Sequence, residues 1–137
     1  MIVHRTDIRV RYADTDQMGF VYYGKYAEYF EVGRVELIRS LGISYREIEE
    51  RGIMLPVVEL EVRYLAPAFY DELLSVKTIV PEIPRSSLLT TYEVIKPDGK
   101  ITVKGLVKLA FIDRGRMRPV RAPEYMVEAM RVWFDEP

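Results

Sequence analysis

Apolar and polar residues alternate over "DIRVRY" (Asp7 to Tyr12), the period-two pattern of a half-buried strand. Beyond an acidic loop the period changes. Tyr23, Tyr26, Ala27, Phe30, Gly33, Leu37, Ile38 and Leu41 recur at spacings of three and four, which predicts a long helix stopped by Gly42. Tyr29, Val32 and Val35 add a second apolar strip, so this helix is expected to be covered on more than one side. In "SYRE", Ser44 stands three residues before Glu47, a capping box that opens a short helix ended by Gly52. Period two then returns. Val58, Leu60, Val62 and Tyr64 share one face of a strand, and Glu59, Glu61 and Arg63 the other. "ELLSVKTIVPEI", "SSLLTTYEVIK" and "ITVKGLVKLAFID" read as further strands, the last two joined by a tight turn at Asp98-Gly99. Pro123 opens a closing amphipathic helix, "PEYMVEAMRVWF".

This order predicts an α+β fold, with a long helix on one face of a roughly five-stranded antiparallel sheet and a C-terminal helix. Such a sheet leaves an edge strand to hide, which makes edge-to-edge dimerisation plausible. At 137 residues, 49% hydrophobic and 30% charged, the chain is expected to form one domain over 1–137. No apolar stretch is long enough to cross a bilayer, and "MIVHRTDIRV" lacks the apolar run of a secretory signal, so a cytoplasmic protein without membrane insertion is expected. The formal net charge of -1 gives no general attraction to nucleic acid. The arginines of "DRGRMRPVR" are confined to one short segment, either a solvated loop or a local phosphate site.

Composition also limits the chemistry. There is no cysteine and one histidine, His4. A cysteine nucleophile, a redox pair and a thiolate metal site are excluded, and a Ser-His-Asp triad would have to recruit a histidine next to the terminus. Catalysis would fall to carboxylates, hydroxyls, cations and backbone amides.

Those groups meet in "ADTDQMGFVYYGKYAEYFEVGR" (Ala13 to Arg34). Read as a calcium loop, Asp14, Asp16 and Gly19 fit the first, third and sixth positions. Met18 and Lys25, however, stand where ligands are required, and calcium is rejected. Read structurally, Asp14 caps the loop and Asp16 supports the turn at Gly19. Read chemically, the helix start at Tyr22, Tyr23 and Gly24 has no side-chain cap. First-turn N–H groups are left free at the positive end of the helix dipole, as a receptor for an oxyanion. Asp16 lies just upstream, where a carboxylate can attack a carbonyl or activate water.

"YADTDQMGFVYYGKYAEYFEVGRVELIRSLG" closely resembles the opening of the 4-hydroxybenzoyl-CoA thioesterase family, above all its Tol-Pal-associated acyl-CoA thioesterase branch. "VRYLAPAFYDELLSVKT" and "MRPVRAPEYM" resemble that branch's second block and its Pro-rich tail. The resemblance implies the hotdog fold, a helix wrapped by an antiparallel sheet. It also implies homodimers with a continuous sheet, commonly assembled to a homotetramer, with active sites at the dimer interface.

The implied activity is hydrolysis of an acyl-CoA thioester to free acid and CoA. No cofactor is required, coenzyme A being part of the substrate. The second acid of the motif, Asp16, is the implied catalytic carboxylate, as nucleophile or general base. The amides at Tyr23 and Gly24 are the implied oxyanion donors, and Asp14 shapes the loop. Many members of the branch carry histidine or another polar side chain where this chain has Gly24.

Nucleotide phosphates are expected at "PRSS" through Arg85, Ser86 and Ser87, with Arg118 and Arg121 as further cations from this or a neighbouring subunit. Tyr22, Tyr23, Tyr26 and Phe30 are expected near the acyl slot or in the core. The reading from another class is a non-catalytic acyl-CoA or acyl-carrier binding protein of the same fold.

Overall fold

A computed structural model describes residues 1–134. The main sheet has five strands: β1 (Ile2–Arg9), β3 (Val57–Tyr64), β4 (Leu73–Val80), β5 (Ser87–Ile95) and β6 (Ile101–Ala110), in the order β1-β4-β5-β6-β3. All neighbours run antiparallel. The helix α1 (Lys25–Ser40) crosses one face. A second sheet of two-residue strands, β2 (Ile53–Met54), β7 (Ile112–Asp113) and β8 (Arg118–Pro119), lies beside α2 (Tyr45–Glu50). The closing helix α3 (Glu124–Arg131) buries Met126 and Met130.

The central strands follow their sequence pattern closely. Leu74, Val76, Thr78 and Val80 of β4 and Leu88, Thr90, Tyr92 and Val94 of β5 are buried, and the residues between them are not. This alternation sets the register, because a one-residue slip would turn every one of these side chains toward water. Ser44 accepts from the Glu47 amide at 3.1 Å and fixes the start of α2, which is the serine half of the expected capping box.

Helix and sheet approach closely at two glycines. Phe30 lies against Gly105 of β6, and its ring stacks on Tyr92 with centroids 4.4 Å apart. A Cβ at Gly33 would collide with Thr78 Oγ1 and stand 2.9 Å from Val76 Cγ1.

The expected stripe on α1 holds, with two differences. Tyr23 falls before the first helical residue and is exposed, and Arg34 is buried among the apolar residues. Arg34 is tolerated there because its Nε donates to the Tyr45 hydroxyl at 3.1 Å. On the second strip Tyr29 is buried, whereas Val32 remains exposed. No described helix is long and apolar enough to cross a membrane.

Gly105 gives a direct test of this packing. Gly105→Ala would drive a methyl into a phenyl ring that Tyr92 keeps from retreating. We expect a loss of about 1–3 kcal/mol, read as a lower urea midpoint with an unchanged m-value.

Candidate active site

The loop between β1 and α1 is a tight antiparallel turn. Thr15 bridges Val21, the Asp16 amide donates to the Phe20 carbonyl at 3.0 Å, and the Gly19 amide donates to the Asp16 carbonyl at 2.9 Å. This turn gives the two aspartates opposite fates.

Asp14 is 1% exposed and fully engaged. Its carboxylate accepts from the Arg11 amide at 3.1 Å, the Arg11 guanidinium at 3.2 Å and the Tyr29 hydroxyl at 2.9 Å, with Lys25 Nζ at 3.7 Å. Burial pushes its pKa up. The Arg11 amide, the Tyr29 hydroxyl and the Arg11 charge outweigh burial and hold the carboxyl below its ordinary value. Burial and the donation to Asp14 in turn push the Tyr29 hydroxyl far up, so it stays a donor at any ordinary pH.

Asp16 is only half-buried. One oxygen, Oδ1, accepts the Met18 amide at 2.9 Å. Among the described residues no protein group donates to Oδ2. The side chain is therefore oriented by one short backbone contact and keeps a lone-pair face for water or substrate. The bland reading of Asp16 as a turn former is correct as far as it goes, but it accounts for one oxygen only.

At the helix start Gly24 is the N-cap and contributes no side-chain bond. The Lys25 amide is taken by the Tyr22 carbonyl at 2.9 Å. The amides of Tyr23 and Gly24 have no protein acceptor among the described residues. The Tyr22 ring occupies the space a side chain at position 24 would fill, its Cε2 lying 2.8 Å from an ideal Cβ there. The Tyr22 hydroxyl is shifted up, first by the neighbouring Tyr23 and in lesser part by the Asp16 charge.

Beside these amides lies a cavity of about 350 Å³ lined by Phe20, Val21, Tyr23, Tyr26 and Tyr64, with Leu65, Ala66 and Pro67 closing it. Its walls are held by a chain of polar contacts. The Tyr26 hydroxyl meets Thr102 Oγ1 at 3.1 Å, and Thr102 in turn donates to the Ala66 carbonyl. Lys96 Nζ donates to the Pro67 carbonyl at 2.7 Å and sits 5.0 Å over the Phe69 ring. Tyr23 and Tyr26 thus line the cavity, whereas Phe30 is core and Tyr22 covers Gly24.

Arg85, Ser86 and Ser87 line a larger depression of about 770 Å³ together with Phe134. It lies at the other end of the sheet. Tyr26 is tied to Thr102 at the start of β6, while Ser87 pairs with Ala110 at its end. Eight residues of strand separate these levels, roughly 27 Å at the usual rise. Arg118, exposed on β8 opposite Asp113, does not line this depression. Within one chain Tyr23 lines the cavity while Asp16 and Gly24 are not in its lining, and Arg85, Ser86 and Ser87 share the separate depression.

A long helix laid on a five-stranded antiparallel sheet, and entered through a carboxylate-bearing turn, defines the class: a hotdog-fold protein. The profile of the Thioesterase-like superfamily matches residues 10–133, and the chain belongs to that family. Acyl-CoA thioesterase YbgC of Haemophilus influenzae is 34% identical over 118 residues, covering 85% of this chain and 86% of that protein. Acyl-CoA thioester hydrolase YbgC of Escherichia coli O157:H7 is 28% identical, covering 90% and 92%. A crystal structure of DHNA-CoA thioesterase from Staphylococcus aureus superposes with a TM-score of 0.87 at 35% identity, over 100% of this chain and 98% of that one.

The state of Asp14 has a measurable consequence. A carboxyl whose folded pKa lies below its unfolded value of about 3.9 adds stability that is complete above that pH and lost as pH falls through the folded pKa. Asp14→Asn would face its amide toward donors. We expect it to cost about 1–3 kcal/mol at neutral pH and to flatten the acid limb of the stability profile, as followed by thermal melts between pH 3 and 7.

Proposed function

We propose that this protein is an acyl-CoA thioesterase acting through Asp16. The observation that carries the proposal is the free Oδ2 of Asp16 in the turn that leads into two helix-start amides without a protein acceptor, the first of them on Tyr23, which lines an apolar cavity. The acyl group enters the cavity, and its carbonyl oxygen meets the Tyr23 and Gly24 N–H groups. These donors are worth most when the oxygen becomes a full anion, so they lower the barrier more than they tighten substrate binding.

Two routes fit one free carboxylate oxygen. As a nucleophile, Asp16 bonds to the carbonyl carbon, the C–S bond breaks to release CoA thiolate, and water hydrolyses the resulting anhydride. As a general base, Asp16 takes a proton from water while that water's oxygen bonds to the carbonyl carbon; the tetrahedral oxyanion then collapses, the C–S bond breaks, and the proton passes from Asp16 to the departing CoA thiolate. Neither route calls on a cofactor.

The reading extends to assembly. Strand β3 is a sheet edge that stays exposed along nearly its whole length, with Val58 58% and Leu60 47% exposed. Antiparallel pairing of two β3 edges would make a continuous sheet and cover these side chains. It would also set the Arg85 end of one subunit beside the Asp16 end of its partner. A CoA held at Arg85, Ser86 and Ser87 of one subunit then delivers its thioester to Asp16 of the other. Two such dimers forming a tetramer, and a cytoplasmic setting where CoA thioesters are made, complete the proposal. The relatives named above act on acyl-CoA substrates, in keeping with this reading.

Asp16→Asn is expected to lower kcat by about 10³-fold while CoA binding, measured by calorimetry, and oligomer mass stay unchanged. Wild-type turnover in this variant would overturn the assignment. Saturable CoA binding by the wild-type protein with no thiol released from any acyl-CoA would favour the purely binding role.

The edge strand has its own test. Leu60→Lys is expected to shift the protein toward monomer in sedimentation velocity and to lose activity in parallel, because the proposed site needs both subunits.

A further inference from the structure

Two consecutive amides face the proposed scissile carbonyl, and each is oriented through the carbonyl of its own peptide group. A trans peptide is planar and its C=O and N–H point in opposite directions, so a bond that fixes one fixes the other. The peptide joining Tyr22 to Tyr23 is held because the Tyr22 carbonyl accepts the Lys25 amide at 2.9 Å. That bond is part of the helix start and arises with the helix itself.

The next peptide, joining Tyr23 to Gly24, is held differently. Its carbonyl accepts a hydrogen bond from a side chain forty-one residues away, the hydroxyl of Tyr64, at 3.0 Å. Tyr64 ends the edge strand β3. Its ring is braced against Tyr26 in an edge-on contact with centroids 5.8 Å apart, and Tyr26 is anchored to Thr102. The hydroxyl is therefore presented from the end of a paired strand by a half-exposed ring that rests edge-on against Tyr26, while the peptide it holds lies in an exposed turn of two tyrosines and a glycine.

We propose that Tyr64 is a positioning residue for hydrolysis: by holding the Tyr23 carbonyl it aims the Gly24 N–H at the carbonyl oxygen of the thioester. The inference rests on the reading of the Tyr23 and Gly24 amides as oxyanion donors. Two physical effects follow from the one bond. The Tyr23–Gly24 peptide loses the freedom to rock about its flanking dihedrals, so the donor is in place before charge develops. Donation to the carbonyl also polarises the amide and strengthens its N–H as a donor. The sequence offers a reason for the arrangement. Gly24 has no side chain with which to brace its own peptide, and the Tyr22 ring fills the space where one would stand. The brace must come from elsewhere in the chain.

Tyr64→Phe keeps the ring and its contact with Tyr26 and removes only the hydroxyl. We expect kcat to fall roughly 10- to 100-fold with KM within twofold of wild type. Two inhibitors separate aiming from mere pocket lining. A trifluoromethyl ketone analogue of acyl-CoA, which becomes an oxyanion when water or a nucleophile adds to its carbonyl, is expected to bind more weakly by the same factor as kcat. A thioether analogue without a carbonyl is expected to bind unchanged. Unchanged kcat in Tyr64→Phe, or equal weakening of both analogues, would overturn the proposal.

A measurement independent of turnover keeps its fate apart from that of the thioesterase reading. In 15N-labelled protein, the Gly24 amide resonance is expected to move in Tyr64→Phe while those of Gly42 and Gly99 stay. A Gly24 resonance that does not move means that Tyr64 does not hold this peptide, whatever the enzyme hydrolyses.

Discussion

The buried carboxylate of Asp14 is the contact on which the site depends. It joins three pieces of chain: the segment just after the first strand through Arg11, the acidic turn through its own backbone, and the helix through Tyr29 and Lys25. Its main-chain carbonyl also accepts the Tyr22 amide at 2.9 Å, so both ends of the turn are tied to one residue. A carboxylate removed from water costs several kcal/mol unless its lone pairs are occupied, and here donors occupy them. With the turn fixed in this way, Asp16 can keep an oxygen free without the loop collapsing onto it. Two acids two residues apart thus divide the work, one holding the shape and the other left available.

A similar division separates the two faces of the helix start. Carbonyls there are satisfied within the protein, that of Tyr22 by the helix and that of Tyr23 by Tyr64. The matching N–H groups are not. Leaving donors bare at an exposed helix end costs little, because water can serve them when no ligand is present. Under the proposed function the same donors would gain strength once a substrate displaced that water and lowered the local dielectric. The apolar walls supplied by Phe20, Val21 and Tyr26 favour that exchange.

Much of the fold was legible because its signals are local. Alternation in β4 and β5, the three-and-four spacing along α1 and the Ser44 cap each depend on residues close in sequence, and the structure agrees with them. What escaped sequence reading depends on partners far along the chain. The burial of Arg34 has no signal near it in the chain, since nothing nearby announces that Tyr45 will meet its guanidinium. Tyr64 read as one more apolar-face residue of an alternating strand, and its hydroxyl gains meaning only when β3 ends beside the helix start. Asp14 and Asp16 could be told apart by resemblance to a family but not by chemistry alone. What separates them is Tyr29, one helical turn inside α1.

Arg85, Ser86 and Ser87 show the same limit at a larger scale. As residues they suit a phosphate, and they do share a depression. Strand pairing nevertheless sets them about 27 Å along the sheet from the level of Tyr26. In an antiparallel sheet the two ends of a strand cannot be brought together by any local change, and under the proposed function a second copy of the chain would close that distance. The exposed flanks of β3 point the same way, since an edge strand with both faces open to water is unfinished as a piece of sheet. A single edge-to-edge contact would complete the sheet and unite the two half-sites at once. Assembly and catalysis would then be one problem for this chain, because the surface that stabilises the dimer is also the surface that brings a phosphate anchor to a carboxylate it cannot otherwise reach.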